Sequence, residues 1–199
     1  MDFIEIVEKD SELVETIHSK EPFVSTIDNL LTDDECNHMI NISKGLMKSS
    51  LVSDGKKGIV SQGRTSSNAW IQHNHDEITK SIGEKIAGIV GMPLENAEAY
   101  QVIHYGVDAQ YRRHYDSWDH NGSEKTLRCM KYGGARLKTA LVYLNDVEEG
   151  GETEFPNLNK TFKLKAGDAL FFDTLDNYEL ATSKALHGGR PVKSGEKWI

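Results

Sequence analysis

Short apolar runs closed by glycine turns fill the second half of this chain, and they leave few folds open to it. Ala99-Tyr100-Gln101-Val102-Ile103-His104-Tyr105, Thr139 to Leu144, Phe162-Lys163-Leu164 and Ala169 to Phe172 each read as a strand. Gly150-Gly151, Ala166-Gly167-Asp168 and Gly188-Gly189 punctuate them. The first half carries helical patterning instead, so the expected class is α+β, with the strands forming a jelly roll and the helices flanking it on the N-terminal side. With 4 prolines, no repeat and no low-complexity stretch, the 199 residues are expected to form a single domain. Residues 21–96 are expected to be a helical support region and 97–199 the jelly-roll core.

Two helices are signalled. Thr32 with Glu35 makes a capping box, and Asp33 and Asp34 suit the positive end of a helix dipole. Cys36, Met39, Ile40, Ser43 and Met47 then recur at helical spacing. Ile78, Ile82, Ile86, Ile89 and Val90 form the second stripe, which Gly91-Met92-Pro93 stops. Ser49 to Ser67 reads as an exposed loop or a pair of short strands, and Asp116 to Arg136 as a long loop of the kind that serves as a binding element.

Charge and cysteine content narrow the function. With 23 Lys+Arg against 31 Asp+Glu, the formal charge of -8 disfavours a nucleic-acid binder, since phosphates require a positive face. No apolar run is long enough to span a bilayer. The acidic start, Met-Asp-Phe-Ile-Glu, is not a secretory signal. Cys36 and Cys129 make neither a disulfide framework nor a zinc ribbon, so a reducing, cytoplasmic setting is expected.

The chemistry gathers in three segments. His114 and Asp116, two apart on an extended strand, point to the same face. Alone, such a pair is as often a surface ion pair. His187, 71 residues after Asp116, follows a predicted strand and adds a second imidazole. Two histidines and one carboxylate on one face of a metal make the triad of non-haem Fe(II) oxygenases, with coordination positions left open. Two neutral imidazoles and one carboxylate leave Fe(II) with one net positive charge, which favours an anionic co-substrate. Lys197, ten residues beyond His187, could anchor the far carboxylate of a dicarboxylic acid, whereas in isolation it would read as a solvated lysine. Gln72-His73-Asn74-His75-Asp76 reads as a capping turn with Asp76 at the helix start rather than a nuclease metal site. His104 reads equally as a site residue or a structural one. His18, His38 and His120 carry no signal, and Lys56-Lys57 is a solvated loop.

Taken together these segments resemble the prolyl 4-hydroxylases of the Fe(II)/2-oxoglutarate dioxygenase superfamily, the short soluble type of plants, algae, bacteria and viruses. The resemblance runs from about Glu21 to the end. It is carried by Leu31-Thr32-Asp33-Asp34-Glu35-Cys36, Arg64-Thr65-Ser66-Ser67, His114-Tyr115-Asp116, Tyr143-Leu144-Asn145-Asp146-Val147-Glu148-Glu149-Gly150-Gly151-Glu152-Thr153, Leu186-His187-Gly188-Gly189 and Gly195-Glu196-Lys197-Trp198. It implies a double-stranded β-helix with His114, Asp116 and His187 as metal ligands and catalytic centre. Lys197 would pair with the distal carboxylate of 2-oxoglutarate, with Thr153 and Tyr105 bonding the same end. Tyr111 and Arg136 would line a peptide groove, and Arg64 would lie in a loop closing over it. Trp118, in the loop after the metal motif, is a candidate substrate contact. The implied cofactors are Fe(II), 2-oxoglutarate, O2 and ascorbate. The implied reaction couples decarboxylation of 2-oxoglutarate to succinate and CO2 with 4-hydroxylation of proline in an extended peptide.

Two rival readings stand beside it: the same chemistry on free proline or another small molecule, and a non-catalytic β-helix binding module. Relatives continue past Gly-Glu-Lys-Trp into a closing strand bearing another tryptophan, while this sequence ends at Ile199. An exposed sheet edge is therefore expected beside Lys197. Such an edge could pair with another chain, and oligomeric state is left open.

Overall fold

The computed structural model describes residues 4–9, 13–52, 59, 61–118, 123–131, 133–176 and 182–199. In chain order the elements are β1 (Glu5–Lys9), β2 (Leu13–Lys20), β3 (Phe23–Ile27), α1 (Asp33–Lys44), β4 (Lys48–Ser49), β5 (Ser67–Ile71), α2 (Glu77–Val90), β6 (Tyr100–Tyr105) and β7 (Tyr111–His114). They continue as α3 (Glu124–Cys129), β8 (Lys138–Val142), β9 (Glu149–Gly150), β10 (Thr153–Phe155), β11 (Lys160–Phe162), β12 (Ala169–Asp173), β13 (His187–Gly189), β14 (Val192–Ser194) and β15 (Lys197–Trp198). The strands form a five-stranded sheet β1-β2-β3-β12-β8, a sheet β11-β10-β13-β7, the pair β14-β9 and a sheet β15-β6-β5-β4.

The alternation of side chains along β3 and β12 sorts the interior into two layers. Ile27, Ala169 and Phe171 face the helices and pack with Cys36, Met39, Ile40 and Ile82. Val24, Leu170 and Phe172 point into the roll, where Tyr143, Phe155 and Phe162 meet them. Burying each of these aromatic side chains contributes roughly 2 kcal/mol.

Both helices start as their sequences dictate. Thr32 Oγ1 accepts from Glu35 N–H at 3.2 Å, and Glu35 Oε2 accepts from Thr32 N–H at 2.8 Å. Asp76 caps α2 by accepting from Thr79 N–H at 2.8 Å, and His38 of α1 bonds its other oxygen at 2.7 Å. The His73–Asp76 string is thus a cap, with His73 edge-on to the Tyr100 ring. Gly45 closes α1 before Met47, so Met47 packs from beyond the helix.

The structure corrects several expectations. The first half is not simply helical: β2 and β3 precede α1 and extend the sheet that carries β12, and 21–96 contains β3, β4 and β5 beside the helices. Thr16 and Thr26 are β-branched, but their polar neighbours hide an alternation that becomes useful only when β2 pairs with β3 and β3 with β12. The 116–136 stretch holds α3 rather than loop throughout. The edge beside Lys197 is covered: Leu144 N–H donates to Trp198 O at 2.9 Å, and Trp198 N–H donates to Asn145 Oδ1 at 2.6 Å. Lys56-Lys57 and His120 lie outside the described residues.

Candidate active site

The register of two short strands builds the centre of the site. His187 of β13 pairs directly with His114 of β7, and Gly189 pairs with Tyr111. Two steps along β13 therefore match three along β7, so β7 carries one extra residue, a β-bulge. The backbone of the bulged Arg112 is satisfied elsewhere: its N–H donates to Gly63 O at 2.7 Å, and its carbonyl accepts from His114 Nδ1 at 2.9 Å. By inserting that residue the bulge turns Tyr111 and His114, three apart, to the same side, where their rings stack with centroids 3.6 Å apart. Gly188 is required here, because a Cβ on it would lie 3.0 Å from the Arg113 nitrogen.

His114, Asp116 and His187 bring one ligand atom each within 4.8 Å of one another, the sole such group among the described residues. Nε2 of His114 lies 3.3 Å from Asp116 Oδ1, and Nε2 of His187 lies 3.6 Å from Oδ2. Both Nδ1 atoms donate to backbone carbonyls, His114 to Arg112 and His187 to Ala185 at 3.0 Å. That fixes the tautomers and leaves both Nε2 lone pairs for a cation. Asp116 Oδ2 also accepts from Thr139 Oγ1 at 2.8 Å. Burial pushes the Asp116 carboxyl up, but its polar surroundings, the His114 and His187 imidazoles and the Thr139 hydroxyl, outweigh it and keep the group ionised. Burial, opposed by Asp116, lowers His187, which favours the neutral ligand form. This donor set fits a divalent iron ion with its remaining positions open.

Lys197 lies deeper in the roll at 3 % exposure. Its Nζ donates to Gly151 O at 2.8 Å and approaches Thr153 Oγ1 at 3.5 Å. The Tyr143 ring centroid is 4.7 Å away and that of Tyr105 is 5.8 Å away. Among the described residues no carboxylate makes an ion pair with it. Burial drops this ammonium to about 8, against a small upward pull from Glu152. A buried cation that pairs with no carboxylate among the described residues is the complement of an incoming carboxylate. Gly150, with φ 78° and room for no Cβ against Pro191 O, makes the turn that delivers the Gly151 carbonyl.

The four residues expected on the substrate side divide into two clusters. Arg64 is buried beside Tyr111, its Cζ 4.6 Å from that ring centroid, and its Nη atoms bond Leu51 O and Gln101. Arg136 forms a bidentate pair with Glu98 at 2.5 and 2.9 Å, donates to Asp116 O at 3.3 Å and covers the Trp118 ring at 4.9 Å. Arg136 is thus tied to the metal-ligand segment as well as to Glu98 and Trp118. His104 is structural, bonded to Glu196 at 2.8 Å and tilted against the buried Trp198. Trp70 is half exposed on β5, whereas Trp198 is buried.

Sequence reasoning missed Thr139, Tyr143 and Glu98. Thr139, Leu141 and Tyr143 alternate along one face from β8 onward, which carries Thr139 to Asp116 and Tyr143 OH to Thr153 Oγ1 at 2.6 Å. That period of two was the available signal.

Comparison with known proteins agrees with this geometry. The 2OG-Fe(II) oxygenase superfamily profile matches residues 100–199. A putative prolyl 4-hydroxylase of Acanthamoeba polyphaga mimivirus is 38% identical over 180 residues, covering 89% of this chain and 71% of that protein. Probable prolyl 4-hydroxylase 7 of Arabidopsis thaliana is 33% identical over 197 residues, covering 89% of this chain, which spans 60% of the plant protein's length. The 2OG complex of the viral collagen prolyl hydroxylase from Paramecium bursaria Chlorella virus-1 superposes with a TM-score of 0.67 at 31% identity, covering 88% of this chain and 91% of that one.

Proposed function

The chain belongs to the prolyl 4-hydroxylases of the 2OG-Fe(II) oxygenase superfamily, and from that premise we propose that it hydroxylates proline within an extended peptide. The observation that carries this reading is the pairing of a His114–Asp116–His187 cluster with the buried Lys197, which makes no ion pair with a carboxylate among the described residues. His114, Asp116 and His187 hold Fe(II), which when bound supplies the activation of O2 coupled to decarboxylation of 2-oxoglutarate to succinate and CO2. Lys197 and Thr153 take the distal carboxylate of the co-substrate, and Tyr143 orients the Thr153 hydroxyl. Tyr105 and Tyr143 exclude water from that end, which strengthens the Lys197–carboxylate attraction. Thr139 fixes the metal carboxylate. Tyr111, Arg64, Trp118 and Arg136 form the walls along which the peptide presents its proline ring, so that positioning rather than acid–base chemistry is the protein's main contribution.

Among the described residues no helix is long and apolar enough to cross a membrane. A cytoplasmic setting goes with the reading, and the free, buried Cys36 agrees with a reducing compartment.

Succinate release with proline-rich peptides, compared with free proline, tests the substrate class. Release that requires the peptide supports the reading. Release with free proline alone contradicts it.

A further inference from the structure

The face of β10 turned away from the metal carries a charged bridge that the reaction itself does not use. Thr153 and Phe155 point inward, so Glu154 between them points out. Glu154 stands in register with Gly188 on β13, and beyond Gly188 lies the Arg112–Arg113 bulge of β7. With no side chain at Gly188, one carboxylate spans the gap: Glu154 Oε1 accepts from Arg113 Nε at 2.7 Å, and Oε2 accepts from Arg190 Nε at 2.8 Å. Strands β7 and β10 and the residue that follows β13 are thereby tied together around a glycine.

We propose that the Arg113–Glu154–Arg190 bridge is a positioning device for the metal site, holding the β7 bulge in the geometry that sets His114 opposite His187 with Tyr111 stacked on it. The proposal rests on the metal-centre reading given above. β13 is three residues long and two are glycine, so it has little side-chain packing to fix its offset against β7. The register shift between His187 and Gly189 falls at Gly188, the residue the bridge spans. A slip or flattening there would separate the paired histidines and unstack Tyr111, since each side chain's face depends on register. The carboxylate is well covered, with 15% of its side chain exposed, while the Arg113 and Arg190 side chains are 56% and 49% exposed. A surface ion pair of that kind adds little to global stability. Its effect should therefore appear at the metal and not in the melting temperature.

The test is Co(II) affinity of the full chain, read from the visible ligand-field bands of the bound ion. Glu154→Ala should weaken Co(II) binding about tenfold and alter the band shape, as loss of an outer-sphere partner does. Glu154→Gln and Arg113→Ala should fall between it and the wild type. Glu149→Ala, which breaks the neighbouring surface pair with Lys193, should leave both affinity and spectrum unchanged. Wild-type affinity should decline more steeply with added salt than that of Glu154→Ala, because the bridge is screened. Wild-type affinity and spectrum in both folded Glu154 variants would overturn the proposal. His187→Ala separates the two claims: if it too binds Co(II) normally, the metal centre is misassigned, whereas its loss beside unaffected Glu154 variants rejects the bridge alone.

Discussion

His114 and His187 stand directly opposite each other on adjacent antiparallel strands, with ring centroids 4.4 Å apart. Their surroundings differ. His187 is 4 % exposed and packs against Phe155 and Phe172, whereas 19% of the His114 side chain is open to solvent. His187→Ala should therefore lower stability by about 2–3 kcal/mol through the cavity it leaves. His114→Ala should cost about 1 kcal/mol or less. Both should abolish metal-dependent turnover. Denaturant unfolding beside an iron-dependent assay separates the two effects.

Thr139 holds one oxygen of Asp116 and thereby sets the plane of that carboxylate. Thr139→Val keeps the shape and removes the bond, so divalent metal affinity should drop about tenfold. Thr139→Ser should retain most of it. Calorimetric titration with Co(II) checks both.

Tyr143 should affect the co-substrate and not the iron. Its hydroxyl bonds Thr153 at 2.6 Å inside the core, beneath Lys197. Tyr143→Phe removes a buried bond worth about 1 kcal/mol, so KM for 2-oxoglutarate should rise roughly fivefold with metal affinity unchanged. A matching fall in metal affinity would contradict that assignment.

Lys197 gives a pH signature of definite sign. Burial takes its ammonium from 10.5 to about 8, so between those values the unfolded chain holds the proton more tightly than the folded one. Without co-substrate, this residue's contribution to stability must rise as pH climbs from 8 to 10.5, by an amount on the order of 3 kcal/mol. The wild-type minus Lys197→Met difference isolates it from the tyrosines. Affinity for 2-oxoglutarate should move the other way, falling about tenfold per pH unit above 8 as the cation is lost. Unfolding curves and co-substrate titrations at pH 7.5 and 9.5 check both directions.

What was legible in the sequence was local. The capping box at Thr32, the helix start at Asp76, the glycine stop at Gly91, and the His114–Asp116 spacing each depend on atoms a few residues apart, and each is found in the structure. His187 was legible as the third member of a ligand set whose chemistry has few alternatives, and the structure brings it beside His114 and Asp116. The rest depends on pairings between distant segments. Strand β3 becomes core only against β12 and β2 only against β3, and the edge beside Trp198 is closed by Leu144 and Asn145, more than fifty residues earlier. The bulge that turns Tyr111 onto His114 exists only relative to β13, so no periodicity within β7 encodes it.

The most direct test of the account is anaerobic titration of Fe(II) into the chain with 2-oxoglutarate, followed by visible absorption. A 2-oxo acid chelated to Fe(II) gives a charge-transfer band. The account predicts a band that saturates at one iron per chain, vanishes in His187→Ala, and needs far more 2-oxoglutarate in Lys197→Ala. A folded wild-type chain that gives no band, or a His187→Ala chain that gives the same one, would contradict it.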